Sequence, residues 1–195
     1  MSTTPKLTAG TIVHFIADIF NRRGAESYLG ERVTMSEHML QGAVLAEREG
    51  AEEALVAAAL LHDIGHYTNE FGDDYIEQGV DNLHEESGAR VLEAFFPPVI
   101  VACVRLHVAA KRYLCAADPG YFAELSPASV ATLALQGGPM SSEEVAEFRR
   151  NPHFQAAVRV RRWDDAGKVP GMTTPPIEHY LPLLQRVVDR HAGLR

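Results

Sequence analysis

Residues 55–66 read Leu-Val-Ala-Ala-Ala-Leu-Leu-His-Asp-Ile-Gly-His, and this stretch decides how the chain is understood. Leu55 to Leu61 form an apolar helical run that delivers His62 and Asp63 into what should be the core. An unpaired carboxylate buried there costs several kcal/mol or is forced to protonate. Asp63 therefore wants a cation beside it, and His62 offers a neutral nitrogen to the same one. A His-Asp pair alone arises by chance in many proteins; its surroundings raise its weight. His38 lies one helix upstream, His84 and His107 follow, and Asp164 comes late. Six candidate ligands on or beside separate helices form the pattern of a dinuclear metal site.

Outward from this stretch, apolar residues recur at helical spacing almost throughout. Ile12, Phe15, Ile16, Ile19 and Phe20 make one stripe, with Gly24 placed as its C-cap. Thr34-Met-Ser-Glu37 is a capping box opening the helix that carries His38. Glu52 starts the helix that runs into His62-Asp63 and breaks near Gly65. Residues 67–82, rich in Asp, Gly and Asn, read as a loop over a site. His84 to Phe96 reads as helix, stopped by Pro97-Pro98, and a further helix carries His107 and Lys111. Ser126-Pro127 is an N-cap with proline at N1, opening SPASVATLALQGG. Ser141 to Glu144 and Asn151-Pro152 announce two more helices, and the last runs from about Ile177 to His191. No β alternation, repeat or linker interrupts the pattern. The expected fold is all-α: one helical bundle spanning 1–195 with the dinuclear site in its core.

Bulk properties set the limits. With 195 residues, 46% of them apolar, the chain is long enough for one sizeable core. A net charge of −8 and a pI near 5.6 argue against a nucleic-acid or anionic-membrane partner. Cys103 and Cys115 lack ligand spacing and suggest a reducing compartment. The opening MSTTPKLTAG lacks a basic segment followed by an apolar one, so no secretion signal is expected. No apolar run approaches the roughly 20 residues needed to span a bilayer. A cytoplasmic protein is the expectation.

Imidazole and carboxylate together suit first-row transition metals, whereas all-oxygen sites suit magnesium or calcium. Asp63 can bridge two ions through its two oxygens. His38, His62 and Asp164 would complete one sphere, and His84 and His107 would serve the other. His14, His153, His179 and His191 have no such company and read as ordinary residues. Lys111 lies one turn from His107, on the same face. Arg161 lies one turn from Asp164, and a guanidinium suits bidentate capture of an oxyanion. Ser129 and Thr132, three apart, offer hydroxyls. The blander reading of each is a solvated face or simple helix polarity.

The order His38, His62-Asp63, His84, His107, Asp164 resembles the ligand set of HD-domain proteins with a dinuclear site. Most of those are phosphohydrolases. Tyr28 and Glu31 before His38, His66 in HDIGH, Lys111, and SPASVATLALQGG before Arg161-Arg-Trp-Asp164 resemble instead the HD-domain mixed-valence diiron oxygenases. That group includes myo-inositol oxygenase and the bacterial oxygenases that cleave the carbon–phosphorus bond of 1-hydroxyphosphonates. The resemblance to the latter extends from about Tyr28 to Asp164. It implies two iron ions, Fe(II) and Fe(III), with dioxygen and a small organophosphonate as substrates. It also implies a phosphonate cradle of Lys111, Ser129, Thr132 and Arg161, with His66 as a further donor. Tyr28 would ligate the second iron until substrate displaces it, and Glu31 would receive the substrate's ammonium.

Tyr67, Phe71, Tyr75 and Tyr113 could wall a quaternary ammonium by cation–π contact, or simply pack. On these rings the substrate expected is 1-hydroxy-2-(trimethylammonio)ethylphosphonate, giving phosphate and glycine betaine. The primary amine, giving glycine, stands beside it. A metal-dependent phosphohydrolase is the alternative, and a silent module binding a phosphorylated ligand is a third reading.

Overall fold

In a computed structural model describing residues 7–68 and 81–194, the chain is a succession of helices. The first four are α1 (Ile12–Arg23), α2 (Met35–Arg48), α3 (Glu53–Leu61) and α4 (Gly65–Thr68). Then come α5 (His84–Leu92), α6 (Pro98–Ala117), α7 (Tyr121–Glu124) and α8 (Pro127–Leu135). The chain finishes with α9 (Ser142–Arg150), α10 (Phe154–Ala166) and α11 (Ile177–Ala192). Among the described residues the only β pairing is an isolated bridge between Ser27 and Thr34. The all-α expectation is met.

The apolar stretch forms α3, buried from Leu55 to Leu61. A helix apolar on every side must be surrounded, and α2, α6, α10 and α11 all pack against it. Small residues allow the closest approach: a Cβ added to Gly42 of α2 would stand 3.3 Å from the Ala59 carbonyl oxygen. The 20-residue α6 runs through the middle, flanked by α3, α5 and α10. Capping boxes at Thr34 and Ser141 open α2 and α9, and Ser126 caps α8, as their sequences specify.

Several boundaries differ from expectation. The helix carrying the apolar run stops at Leu61, four residues before Gly65. Ile64, His66 and Tyr67 each donate their N–H three residues back, so a tight turn separates α3 from α4. His62 and Asp63 sit in this turn. Gly65 restarts the helix instead of ending it, and its role is contact: a Cβ there would run into the backbone of His84 and Gly88. Gly24 does follow α1, but with a right-handed φ of −61°. Glycine is required there because a Cβ would lie 2.8 Å from Ser36 Cβ. The helix from His84 ends at Leu92 rather than Phe96, as Phe95 switches to a three-residue bond on Leu92. Tyr67 and Thr68 close α4 rather than opening a loop; the remainder of the expected 67–82 loop lies, through residue 80, outside the described residues.

Candidate metal centre and anion pocket

Five segments bring the six candidate ligands together. α2 supplies His38, the turn after α3 supplies His62 and Asp63, α5 supplies His84, α6 supplies His107, and α10 supplies Asp164. All six are buried. Their imidazoles form two pairs: His38 Nε2 lies 3.0 Å from His62 Nε2, and His84 Nε2 lies 3.0 Å from His107 Nε2. Asp63 stands between the pairs. Its Oδ2 is 3.5 Å from both His38 Nε2 and His62 Nε2, and its Oδ1 is 3.3 Å from both His84 Nε2 and His107 Nε2. Asp164 Oδ1 joins the first pair, 3.4 Å from His38 Nε2 and 3.8 Å from His62 Nε2.

The opposite edge of each ring fixes what faces inward. His38 Nδ1 meets the Gly167 carbonyl at 2.9 Å, His62 Nδ1 meets that of Ala59 at 2.8 Å, and His107 Nδ1 meets that of Val104 at 2.7 Å. His84 Nδ1 meets Asn82 Oδ1 at 2.9 Å. An oxygen acceptor requires a protonated Nδ1, so each neutral ring turns a bare Nε2 toward its neighbour. Two lone pairs cannot hydrogen-bond each other across 3 Å. Asp63 Oδ2 and Asp164 Oδ1 are likewise buried without a hydrogen-bond partner. Bare nitrogens and unpartnered carboxylate oxygens converging on two points fit a pair of cations. The same demand shows at His62: burial lowers its pKa, but Asp63 and Asp164 outweigh burial and push it up to about 9, so that in the metal-free protein a proton on Nε2 supplies the positive charge at that pair.

Asn82 orders two rings at once. Its Oδ1 takes His84 Nδ1, while its amide Nδ2 lies 3.4 Å from His66 Nδ1. An amide donor makes Nδ1 of His66 an acceptor, so the ring carries its proton on Nε2. Burial, then the neighbouring His84, hold the His66 pKa well below its usual value, so the ring is neutral. It stacks on His84 with centroids 4.1 Å apart, a proximity created by the Gly65 contact.

A cavity opens on the His84–His107 half of the cluster. Asp63 and Asp164 line it with Tyr28, Glu31, His66, Lys111, Ser129, Thr132, Gln136, Arg161 and Lys168. All seven residues anticipated for the substrate therefore reach one space. Tyr28 and Glu31 are the corners of a single turn. Glu31 N–H donates to the Tyr28 carbonyl at 2.7 Å across Leu29 and Gly30, both with positive φ. The Tyr28 ring stacks on His38, centroids 4.0 Å apart. Burial, then Asp63 and Asp164, hold its pKa well above the ordinary phenol value. Glu31 Oε1 and Gln136 Oε1 are buried at this cavity without hydrogen-bond partners.

The opposite charge gathers around α8. Lys111 Nζ donates to Thr132 Oγ1 at 2.8 Å, and the Thr132 hydroxyl in turn donates to the Ser129 carbonyl at 3.2 Å. Arg161 reaches Asp164 Oδ2 at 2.7 Å, pairs with Asp165, and donates to Tyr121 Oη at 3.0 Å and Ser129 Oγ at 3.4 Å. Although burial lowers its pKa, these two carboxylates keep Arg161 well above its normal range.

Two of the expected cage aromatics are elsewhere. Tyr67 packs edge-on against Phe20 with Arg23 over its face, and Tyr113 packs with Phe148 and Phe154 under Arg149. Neither lines the cavity, because each ring is claimed by an apolar cluster of its own. Phe71 and Tyr75 lie outside the described residues. The reading from sequence also passed over Asn82, Gln136, Tyr121, Asp165 and Lys168. Lys168, four residues after Asp164, carried the same spacing signal that singled out Lys111. A larger groove around Leu106, Met140 and Phe148 contains none of the six ligands.

Comparison with known proteins follows this geometry. The HD domain family matches residues 35–144. A [1-hydroxy-2-(trimethylamino)ethyl]phosphonate dioxygenase (glycine-betaine-forming) of Leisingera caerulea is 58% identical over 188 residues, covering 96% of each chain. A hydroxymethylphosphonate dioxygenase of Gimesia maris is 42% identical, over 89% of this chain and 86% of its own. An uncharacterized protein of Acanthamoeba polyphaga mimivirus is 37% identical over 88% of this chain and 80% of its own.

Proposed function

The chain belongs to the HD-domain family, and from that premise we propose that it is a diiron oxygenase acting on 1-hydroxy-2-(trimethylammonio)ethylphosphonate. Dioxygen and the substrate give phosphate, glycine betaine and a proton; the two oxygen atoms gained are shared between the new carboxylate and phosphate. The observation that carries this reading is Asp63, whose two oxygens each face one pair of bare imidazole nitrogens beside a cavity with a cationic pole. His38, His62, Asp63 and Asp164 would hold one iron, and Asp63, His84 and His107 the other. The mixed-valence pair would supply the redox chemistry for activating dioxygen and oxidising C1.

The chain's own residues bind and orient. Lys111 and Arg161 neutralise the phosphonate, and the Ser129 hydroxyl donates to it. Thr132 has committed its proton to the Ser129 carbonyl, so its part is to hold Lys111. His66, protonated on Nε2, offers a neutral donor to the C1 hydroxyl. Glu31 draws the ammonium to the far end, which fixes C1 between the poles. Tyr28, leaning over His38, closes the site until substrate enters. The same reading takes residues 1–195 as one domain, supported by α11 packing on α1 and α3 beyond the 35–144 match. A cytoplasmic location accords with the free thiols of Cys103 and Cys115.

Glu31 provides the test. Its charge attracts either ammonium, but only a primary amine also donates hydrogen bonds to it. Glu31→Gln should lower kcat/KM tenfold or more for the trimethylammonio substrate, and further for the amine. Hydroxymethylphosphonate, which has no charge at that end, should change less than threefold. Equal losses on all three would remove Glu31 from ammonium recognition. The unmodified protein should also prefer the trimethylammonio substrate; a tenfold preference for the amine would reassign the substrate.

Lys111 makes a pH prediction. Burial, then the neighbouring Arg161, push its pKa down to about 7. A lysine with a lowered pKa is charged below that value and loses its proton as pH rises through it. The free enzyme should therefore lose phosphonate affinity, and kcat/KM should fall, on the alkaline side of about 7. Arginine stays charged, so Lys111→Arg should shift this falling limb to higher pH in a kcat/KM profile. An unchanged limb would assign it to another group.

A further inference from the structure

Lys168 follows the end of α10 by two residues, and its backbone is clamped to α2 on both sides. Gly167 gives its carbonyl to His38, and Val169 N–H donates to Gln41 Oε1 at 2.9 Å while its carbonyl receives Gln41 Nε2 at 3.0 Å. Gly167 lies so close to α2 that a Cβ would come 3.2 Å from the His38 carbonyl oxygen. The ammonium that this clamp positions is 3.1 Å from Ser129 Oγ and 3.6 Å from Asp164 Oδ1, and 5.7 Å from the centre of the Tyr28 ring. Its side chain is only 10% exposed. Taking a lysine head out of water is costly unless something negative meets it.

We propose that Lys168 is the third cation of the anion pole, a direct ligand of the phosphonate group beside Ser129; this rests on the phosphonate reading above. Three cations, Lys111, Arg161 and Lys168, surround α8, arriving from α6, α10 and the clamped segment. Two carboxylates, Asp164 and Asp165, answer them. Asp164 also turns Oδ1 toward His38 and His62, so any cation held there draws on the same carboxylate that partners Lys168. With Lys111 protonated, the pole then holds more positive charge than these two carboxylates offset. Ser129 agrees with this. Its oxygen accepts from both Lys168 and Arg161, which occupies its lone pairs and leaves its own proton to donate to a ligand oxygen.

The competing role for Lys168 is to prop Asp164 for the metal. The two separate on the iron-loaded protein by three measurements: kcat and KM for the phosphonate, calorimetric Kd for inorganic phosphate, and iron per chain. Lys168→Met should raise both KM and the phosphate Kd at least tenfold, with kcat within fivefold and iron unchanged. Lys168→Arg should recover both affinities to within threefold. Lys168→Gln, which keeps a donor to Ser129 without the charge, should behave as the Met variant and serves in its place if that one fails to fold. Unchanged phosphate affinity overturns the proposal. So does iron loss with intact affinity per loaded chain, which would make Lys168 a prop. If the unmodified protein turned over no phosphonate yet bound phosphate in a Lys168-dependent way, the substrate assignment would fall and this anion ligand would stand.

Discussion

Asp63→Ala is expected to empty both metal positions and to lower turnover by a thousandfold or more. Each oxygen of Asp63 faces a different imidazole pair, at 3.5 Å on one side and 3.3 Å on the other. Truncating it leaves the second half with two neutral nitrogens and no anion, and the first half with Asp164 alone. Two multivalent cations would then face each other without the negative charge between them. His84→Ala removes a donor from one half only, so it should deplete that half and spare the other. Metal analysis of anaerobically purified protein, with electron paramagnetic resonance for a coupled Fe(II)/Fe(III) pair, reads both outcomes. Retention of two irons and full activity in the Asp63 variant would end the bridging assignment. Thermal melting of the metal-free proteins supplies the folding control. There the variant should melt lower than the parent, because buried His62 loses the carboxylate that holds its charge, yet it should still unfold in one cooperative transition.

The second large effect concerns dioxygen. Removing it should reduce phosphate release more than a hundredfold, and restoring it should consume one dioxygen per phosphate formed. Labelled oxygen gas should place label in the new carboxylate. A hydrolase built on the same ligands would attack phosphorus with metal-bound hydroxide and release phosphate equally fast in either atmosphere. Phosphate release undiminished by anaerobiosis would restore the phosphohydrolase reading. The pocket favours the oxygenase: Glu31 keeps an unpartnered oxygen on the cavity wall, and phosphate ester hydrolysis has no need of an anion there.

The buried His/Asp cluster was legible because it contradicts its own surroundings: His62 and Asp63 are polar groups at the end of a run that can only be buried. The helices were legible for a related reason, since apolar spacing and capping boxes act within one turn. What escaped acts across the fold. Gly24 and Gly65 look like helix breakers in sequence, and only the Ser36, His84 and Gly88 atoms beside them reveal close approach as their purpose. Asn82 gives no sign in sequence that its amide serves His66 and His84 from opposite ends. Lys168 meets Ser129 across 39 positions of chain. The aromatic cage was misjudged at Tyr67 and Tyr113 because ring composition says nothing about which neighbours claim the rings.

The two halves of the centre also differ in how much chain each needs. Asp63, His84 and His107 are all synthesised by residue 107, and His107 takes its orientation from Val104, one turn earlier on the same helix. The other half waits. His38 is oriented by the Gly167 carbonyl, 129 residues downstream, and Asp164 arrives only just before it. A growing chain on the ribosome thus has the second metal's donors long before the first metal's set can close. In the order of synthesis, the C-terminal third of the protein is what completes the His38–His62 half.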